Sequence, residues 1–329
     1  MNANSRTWQL GLPAAIALWG AIVTSAAIFG TWIGLGGRRF AIALGVAAVL
    51  FAFELFLAAP RVLAQVRSRL GERGAVLAAL VPLFVALIYS IGVTGDWRWL
   101  LAGAAYAVLP ALVLASSAGK PPGTWADYAM AIFIWLAVWL PPPYRLLYRI
   151  FPYPYPLMHT LAILMALSTA VAAYVVVRRM DGIGYAVDWG RGFAFHFGFN
   201  FVAFAAIAIP LGIKIGFLTF GPSFTAARLV GAPIGILFFT AWPEEFLFRG
   251  IIQNSLARTF KNPWVGLGVA SVIFGFSHIL HSPVPNWKYV LLATIAGVFY
   301  GRAWMKSGSL LPGTLVHALV DISWHVLFK

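Results

Sequence analysis

Long uncharged apolar runs, broken by short polar or basic turns, dominate the chain. Residues 7–37, 74–95, 99–119, 150–177, 192–213 and 262–287 contain no Asp, Glu, Lys or Arg. Each approaches or exceeds the ~18–20 apolar residues that carry a helix across a bilayer. Membrane-barrel strands would alternate polar and apolar positions over short segments, and these runs do not. The pattern therefore predicts an all-α, polytopic transmembrane bundle of about eleven spans. They fall near 9–33, 40–60, 74–94, 99–118, 126–142, 157–177, 193–213, 229–250, 264–280, 288–305 and 311–327.

Breaks in the pattern suggest the organisation. Residues 61–73 carry Arg61, Arg67, Arg69 and Arg73 among apolar positions and read as a short amphipathic surface helix. Arg178-Arg179 forms a second basic turn. Pro141-Pro142-Pro143 and the prolines at 152, 154 and 156 cannot continue a helix, because proline lacks the amide hydrogen. This connector divides an N-terminal helical region, 1–150, from a C-terminal region, 151–329, whose core is expected at about 231–329. Alternating phenylalanines at 193, 195, 197, 199 and 201 hint at a strand, but the apolar run continues to Pro210 and favours a helix with an aromatic interface anchor. His196 and Asn200, one turn apart on it, read as packing or cavity-lining residues.

Composition supports this picture. Of 329 residues, 61% are hydrophobic and 10% charged, against roughly 25% charged in soluble domains. The net charge is +14. Its basic residues punctuate apolar runs instead of forming a stripe with base-reading groups, so the reading is the positive-inside rule and no nucleic-acid partner. Lys and Arg counts favour a multi-pass protein of the plasma (inner) membrane with a cytoplasmic N-terminus. The first apolar run exceeds the core of a signal peptide and reads as a retained span. Cysteine is absent, which removes disulfides and thiolate metal sites.

The polar residues inside the last spans change the picture most. Only nine carboxylates exist, and Glu244 and Glu245 stand side by side with Arg249 after an uncharged run. A charge near the bilayer centre costs ~3 kcal/mol on insertion scales. Interhelical polar contacts return only ~0.6 kcal/mol on average, so structural glue accounts poorly for this density. Phe274 and His278 end one span, and His317, Asp321 and His325 recur at helical spacing on the last. Neighbours at i and i+4 share a face, so Glu245 can pair with Arg249, His317 with Asp321, and Asp321 with His325. Glu244 points about 100° from Glu245 and is free to face a cavity. His159, His281 and Glu54 read as background, Glu54 snorkelling or paired with a neighbouring arginine. No His-Glu-x-x-His zinc pair, Gly-x-Ser-x-Gly elbow, membrane aspartate pair or phosphate loop is present.

Three ordered motifs resemble the CPBP family of CAAX prenyl proteases and bacteriocin-processing enzymes, also called the Abi family. They are Glu-Glu-x-x-x-Arg at Glu244–Arg249, Phe-x-x-x-His at Phe274–His278 and His-x-x-x-Asp at His317–Asp321. The last position, often Asn in the family, is here Asp321, which accepts hydrogen bonds only when ionised. The resemblance implies a glutamate-dependent intramembrane endopeptidase. Glu244 and His278 would hold and deprotonate a water. His317, oriented by Asp321, would donate to the oxyanion, or a protonated Asp321 would do so directly. Glu245 and Arg249 would neutralise charge and fix the helix rotation, with Phe274 packed beside the site. The implied mechanism needs no cofactor. The alternative is zinc held by Glu244, His278, His317 and Asp321. The expected partner is a membrane-associated peptide or protein, lipidated or not, within the lipid bilayer. The rival readings are a non-catalytic membrane binding or immunity protein using the same polar cavity, and a transporter, for which paired broken helices are expected and none is seen.

Overall fold

The structure, a computed structural model, describes residues 8–140, 145–151, 153, 157–189 and 192–328. Most of the proline-rich connector (141–144, 152 and 154–156) and the junction residues Gly190 and Arg191 lie outside the described residues. The fold is all-α, with twelve helices among the described residues. They are α1 (Leu12–Trp32), α2 (Gly37–Leu57), α3 (Pro60–Thr94), α4 (Arg98–Ala115), α5 (Trp125–Trp139), α6 (Leu146–Ile150), α7 (Leu157–Val177), α8 (Phe193–Lys214), α9 (227–259), α10 (Pro263–Phe276), α11 (Trp287–Ser307) and α12 (Leu310–Leu327). Among the described residues, seven helices are long and apolar enough to cross a membrane: α1 to α4, α7, α8 and α12. The other four predicted spans are helical too. However, α5 and α10 are shorter, while α9 and α11 carry charges. On α8, Phe195 and Val202 are 60% and 64% exposed. Such outward apolar side chains suit a lipid surround, where no hydrophobic penalty attaches to them.

The chain divides into two compact units, one running Gln9–Met180 and the other centred on Asp181–Lys329. In the first unit, the predicted surface helix and the third span both form, as two helical segments of α3 separated by a kink at Gly71 (φ 70°, ψ 178°). That left-handed φ is open to glycine at little cost. Arg178, in the second basic turn, is turned into the protein. It is fully buried, pairs with Asp127 at 2.9 Å, and donates to the Lys120 and Pro121 carbonyls. Asp127 also closes the capping box of α5 with Thr124. Glu54 does not snorkel: it is buried and accepts a 2.8 Å hydrogen bond from Ser168 Oγ.

In the second unit, side-chain caps define where the helices start. Asn262 accepts from the Trp264 and Val265 amides at the start of α10, Asn286 from Tyr289 at α11, and Ser309 from Leu311 at α12. Gly308 (φ 70°) ends α11 and Ser309 immediately caps α12, so these two helices form a tight hairpin. The α10–α11 contact depends on Gly275. A Cβ there would run into the Thr294 side chain and stand 2.7 Å from the Val290 carbonyl. Gly275→Ala should therefore cost about 1–3 kcal/mol through overpacking. Thermal unfolding in detergent would read this, and an unchanged midpoint would refute the tight contact.

Candidate active site

Helix α9 winds in alternating α and wider π-type turns, the latter at Ala227–Gly231, Leu237–Ala241 and Phe246–Gln253. Pro233 and Pro243 each remove one amide donor from the i→i−4 ladder. Wide turns are frequent where that ladder is disturbed, and they recur at functional sites. The twin glutamates sit between the second and third wide turns and part company, as their 100° offset requires. Glu245 turns inward and is fully buried. Glu244 keeps 34% of its side chain exposed and faces a cavity of about 380 Å³.

Glu245 sits at the centre of the polar cluster. One of its oxygens accepts from Arg249 Nε at 3.0 Å, the other from His317 Nδ1 at 3.0 Å. Asp321 had been expected to orient His317, but its carboxylate lies 3.6 Å away, on Nε2. The nearer carboxylate, Glu245, holds the imidazole, because it reaches across from another helix to the nitrogen that Asp321 does not face. His317 Nε2 lies 3.8 Å from Glu244 Oε2. Both Nε2 distances are long for direct hydrogen bonds and suit bridging by one small oxygen group. His325 contacts the Asp321 backbone carbonyl, not its carboxylate, and is exposed. The guanidinium of Arg249 lies over the Phe274 ring at 4.8 Å, a cation–π contact that partly replaces lost hydration.

His278 follows the last turn of α10. Its Nδ1 is 2.9 Å from the Phe274 carbonyl, which can only accept. Nδ1 therefore carries a proton, and in the neutral imidazole Nε2 keeps its lone pair. The ring of Phe274 meets both His278 and His317 edge-on, at 4.9 and 5.7 Å.

Glu244, His278, His317 and Asp321 all line the one cavity, and Phe274 lines it too. Its remaining wall is mainly apolar, from Phe201, Phe204, Ala205 and Ala208 of α8 and Leu292, Ala293 and Ala296 of α11. The sequence pattern passed over Tyr289 and Tyr300. Tyr289 packs on His278 at 4.5 Å and Tyr300 on His317 at 4.5 Å. Their eleven-residue spacing, about three helical turns, puts them on one face of α11 and was the available signal. His281, set aside as loop background, also lines the cavity and stacks on His278. His196 and Asn200 do not line it. Asn200 is buried, donates to the His196 carbonyl, and accepts from Arg302 at 3.1 Å. Among the described residues, no three His, Asp or Glu side chains are grouped as a metal shell.

Residues 226–323 match the family model described as type II CAAX prenyl endopeptidase Rce1-like. No curated protein and no solved structure matches the chain. The matched segment runs from the start of α9 into α12 and contains all three motifs. Over residues 226–323 the chain is thus similar to the type II CAAX prenyl endopeptidase Rce1-like family, and its apolar helices make it an integral multi-pass membrane protein.

Proposed function

We propose that the chain hydrolyses a peptide bond of a membrane-associated peptide or protein, using a water activated by Glu244 and His278. The observation that carries this is the convergence of Glu244, His278, His317 and Asp321 on one largely apolar cavity. In that setting, Glu244 takes a proton from the water while His278 Nε2 accepts the second hydrogen bond and fixes the lone pair on the scissile carbonyl. The carbonyl π electrons move to oxygen as the C–O bond forms. His317, with Nδ1 on Glu245, donates from a protonated Nε2 to the oxyanion. Glu244 then returns its proton to the leaving nitrogen as the C–N bond breaks. Arg249 offsets the charge of Glu245, so the pair acts as a neutral anchor for His317.

This scheme needs no cofactor. Its zinc alternative would use the same four side chains after rearrangement. Lys and Arg counts support a cytoplasmic N-terminus, with the basic 61–73 segment on the same side, and we read the membrane as the plasma (inner) membrane. The test is cleavage of membrane-anchored peptides by the purified chain in lipid vesicles, with products identified by mass. Cleavage that survives exhaustive chelation is expected. Loss on chelation with recovery on adding zinc would favour the metal variant. Binding of peptide with no product under any condition would instead support a non-catalytic binding or immunity protein.

A further inference from the structure

Tyr300 belongs to none of the three motifs, yet its ring lies parallel to that of His317, with planes 15° apart and centroids at 4.5 Å. It is 1% exposed and lines the cavity. The hydrogen bond from His317 Nδ1 to Glu245 restrains one nitrogen. A parallel aromatic face fixes the tilt of the whole ring, and such stacked pairs add attraction beyond simple burial. Phe274 closes the imidazole from another side at 83°.

The backbone is shaped for this stack. Gly313 sits one turn before His317 on α12. A Cβ at Gly313 would stand 2.9 Å from the Tyr300 carbonyl and 3.3 Å from Glu245 Oε2. Real Cβ atoms do not approach a carbonyl that closely, so glycine lets α12 close on α11 at Tyr300 and on α9 at Glu245 together. The hairpin turn at Gly308-Ser309 then sets the register that puts the tyrosine under the histidine.

We propose that Tyr300 is a positioning residue: its ring holds the His317 plane so that Nε2 stays between Glu244 and Asp321. The proposal rests on the peptidase reading above. A ring that only filled space could be replaced by an aliphatic side chain with a loss of stability and no loss of rate below the unfolding temperature.

The full chain in lipid vesicles, with a membrane-anchored peptide that it cleaves, gives the test. Tyr300→Leu and Tyr300→Met should lower kcat about 10- to 100-fold with KM within about twofold. Tyr300→Phe should recover most of the rate. Histidine-selective ¹⁵N spectra should show the His317 ring signals moved or broadened in the Leu and Met variants and restored in the Phe variant. A folded Leu or Met variant with normal kcat would overturn the proposal. So would a Phe variant as slow as Leu, which would assign the effect to the hydroxyl. Failure of both aliphatic variants to fold while Phe folds would reduce Tyr300 to packing. Glu244→Gln, run in parallel, separates the two ideas. If it cleaves as well as the unaltered chain, Glu244 is not the base, and the rates and ring spectra of the Tyr300 variants still decide the tyrosine's role.

Discussion

Glu244→Gln should leave the bundle folded and lower peptide cleavage by roughly a hundred- to ten-thousandfold, the usual contribution of a positioned general base. In barrier terms that is about 3–5 kcal/mol. The reasoning is specific to this side chain. Glutamine keeps the shape, the carboxylate faces the cavity, and Oε2 accepts no hydrogen bond among the described residues. Little packing or bonding is therefore lost, and what disappears is the ability to take a proton. Product yield by mass spectrometry, with helicity and thermal midpoint measured on the same preparation, separates chemistry from folding. Activity above a tenth of normal would remove Glu244 from the base role.

Glu245→Gln should behave in the opposite way, with a large loss of stability. Arg249 and Glu245 are both fully buried, and Arg249 Nη1 and Nη2 have no hydrogen-bond partner among the described residues. Removing one member of a buried pair strands the other charge and costs about 3–5 kcal/mol. The double variant Glu245→Gln/Arg249→Met removes both charges and should regain most of that loss, since apolar replacement of a buried pair is often neutral. Cleavage should not return, because His317 Nδ1 still lacks its carboxylate. Unfolding in detergent paired with cleavage rates makes the comparison. A double variant as unstable as the single one would show that the pair does not act as a closed unit.

These contrasting expectations trace how far the sequence could be read. Each of the eleven apolar runs coincides with a helix among the described residues, because run length and missing charges are local properties, whereas the short α6 inside the proline-rich connector was missed. Seven satisfy the length-and-hydropathy measure for crossing a membrane. The i, i+4 rule placed Arg249 on Glu245 and brought His317 near Asp321, again from local geometry. What stayed hidden was everything set by how helices meet. The bond from Glu245 to His317 spans 72 residues. The burial of Arg178 on Asp127 spans 51. Tyr300 and His281 reach the cavity only because α10, α11 and α12 close around it. The pairing of Asp321 with His325 failed for a related reason: spacing says which side chains share a face, not which atom of a neighbour is nearer.

The chamber also divides its labour between helices. Its carboxylates and imidazoles come from α9, the segment after α10, and α12, whereas Ala205 and Ala208 of α8 and Ala293 and Ala296 of α11 supply small side chains to its wall. Enlarging any of those alanines would narrow the space without touching a charge, and the imidazoles would keep their partners. Such a chain is free to evolve a new guest preference through α8 and α11 while its ionisable machinery stays unaltered.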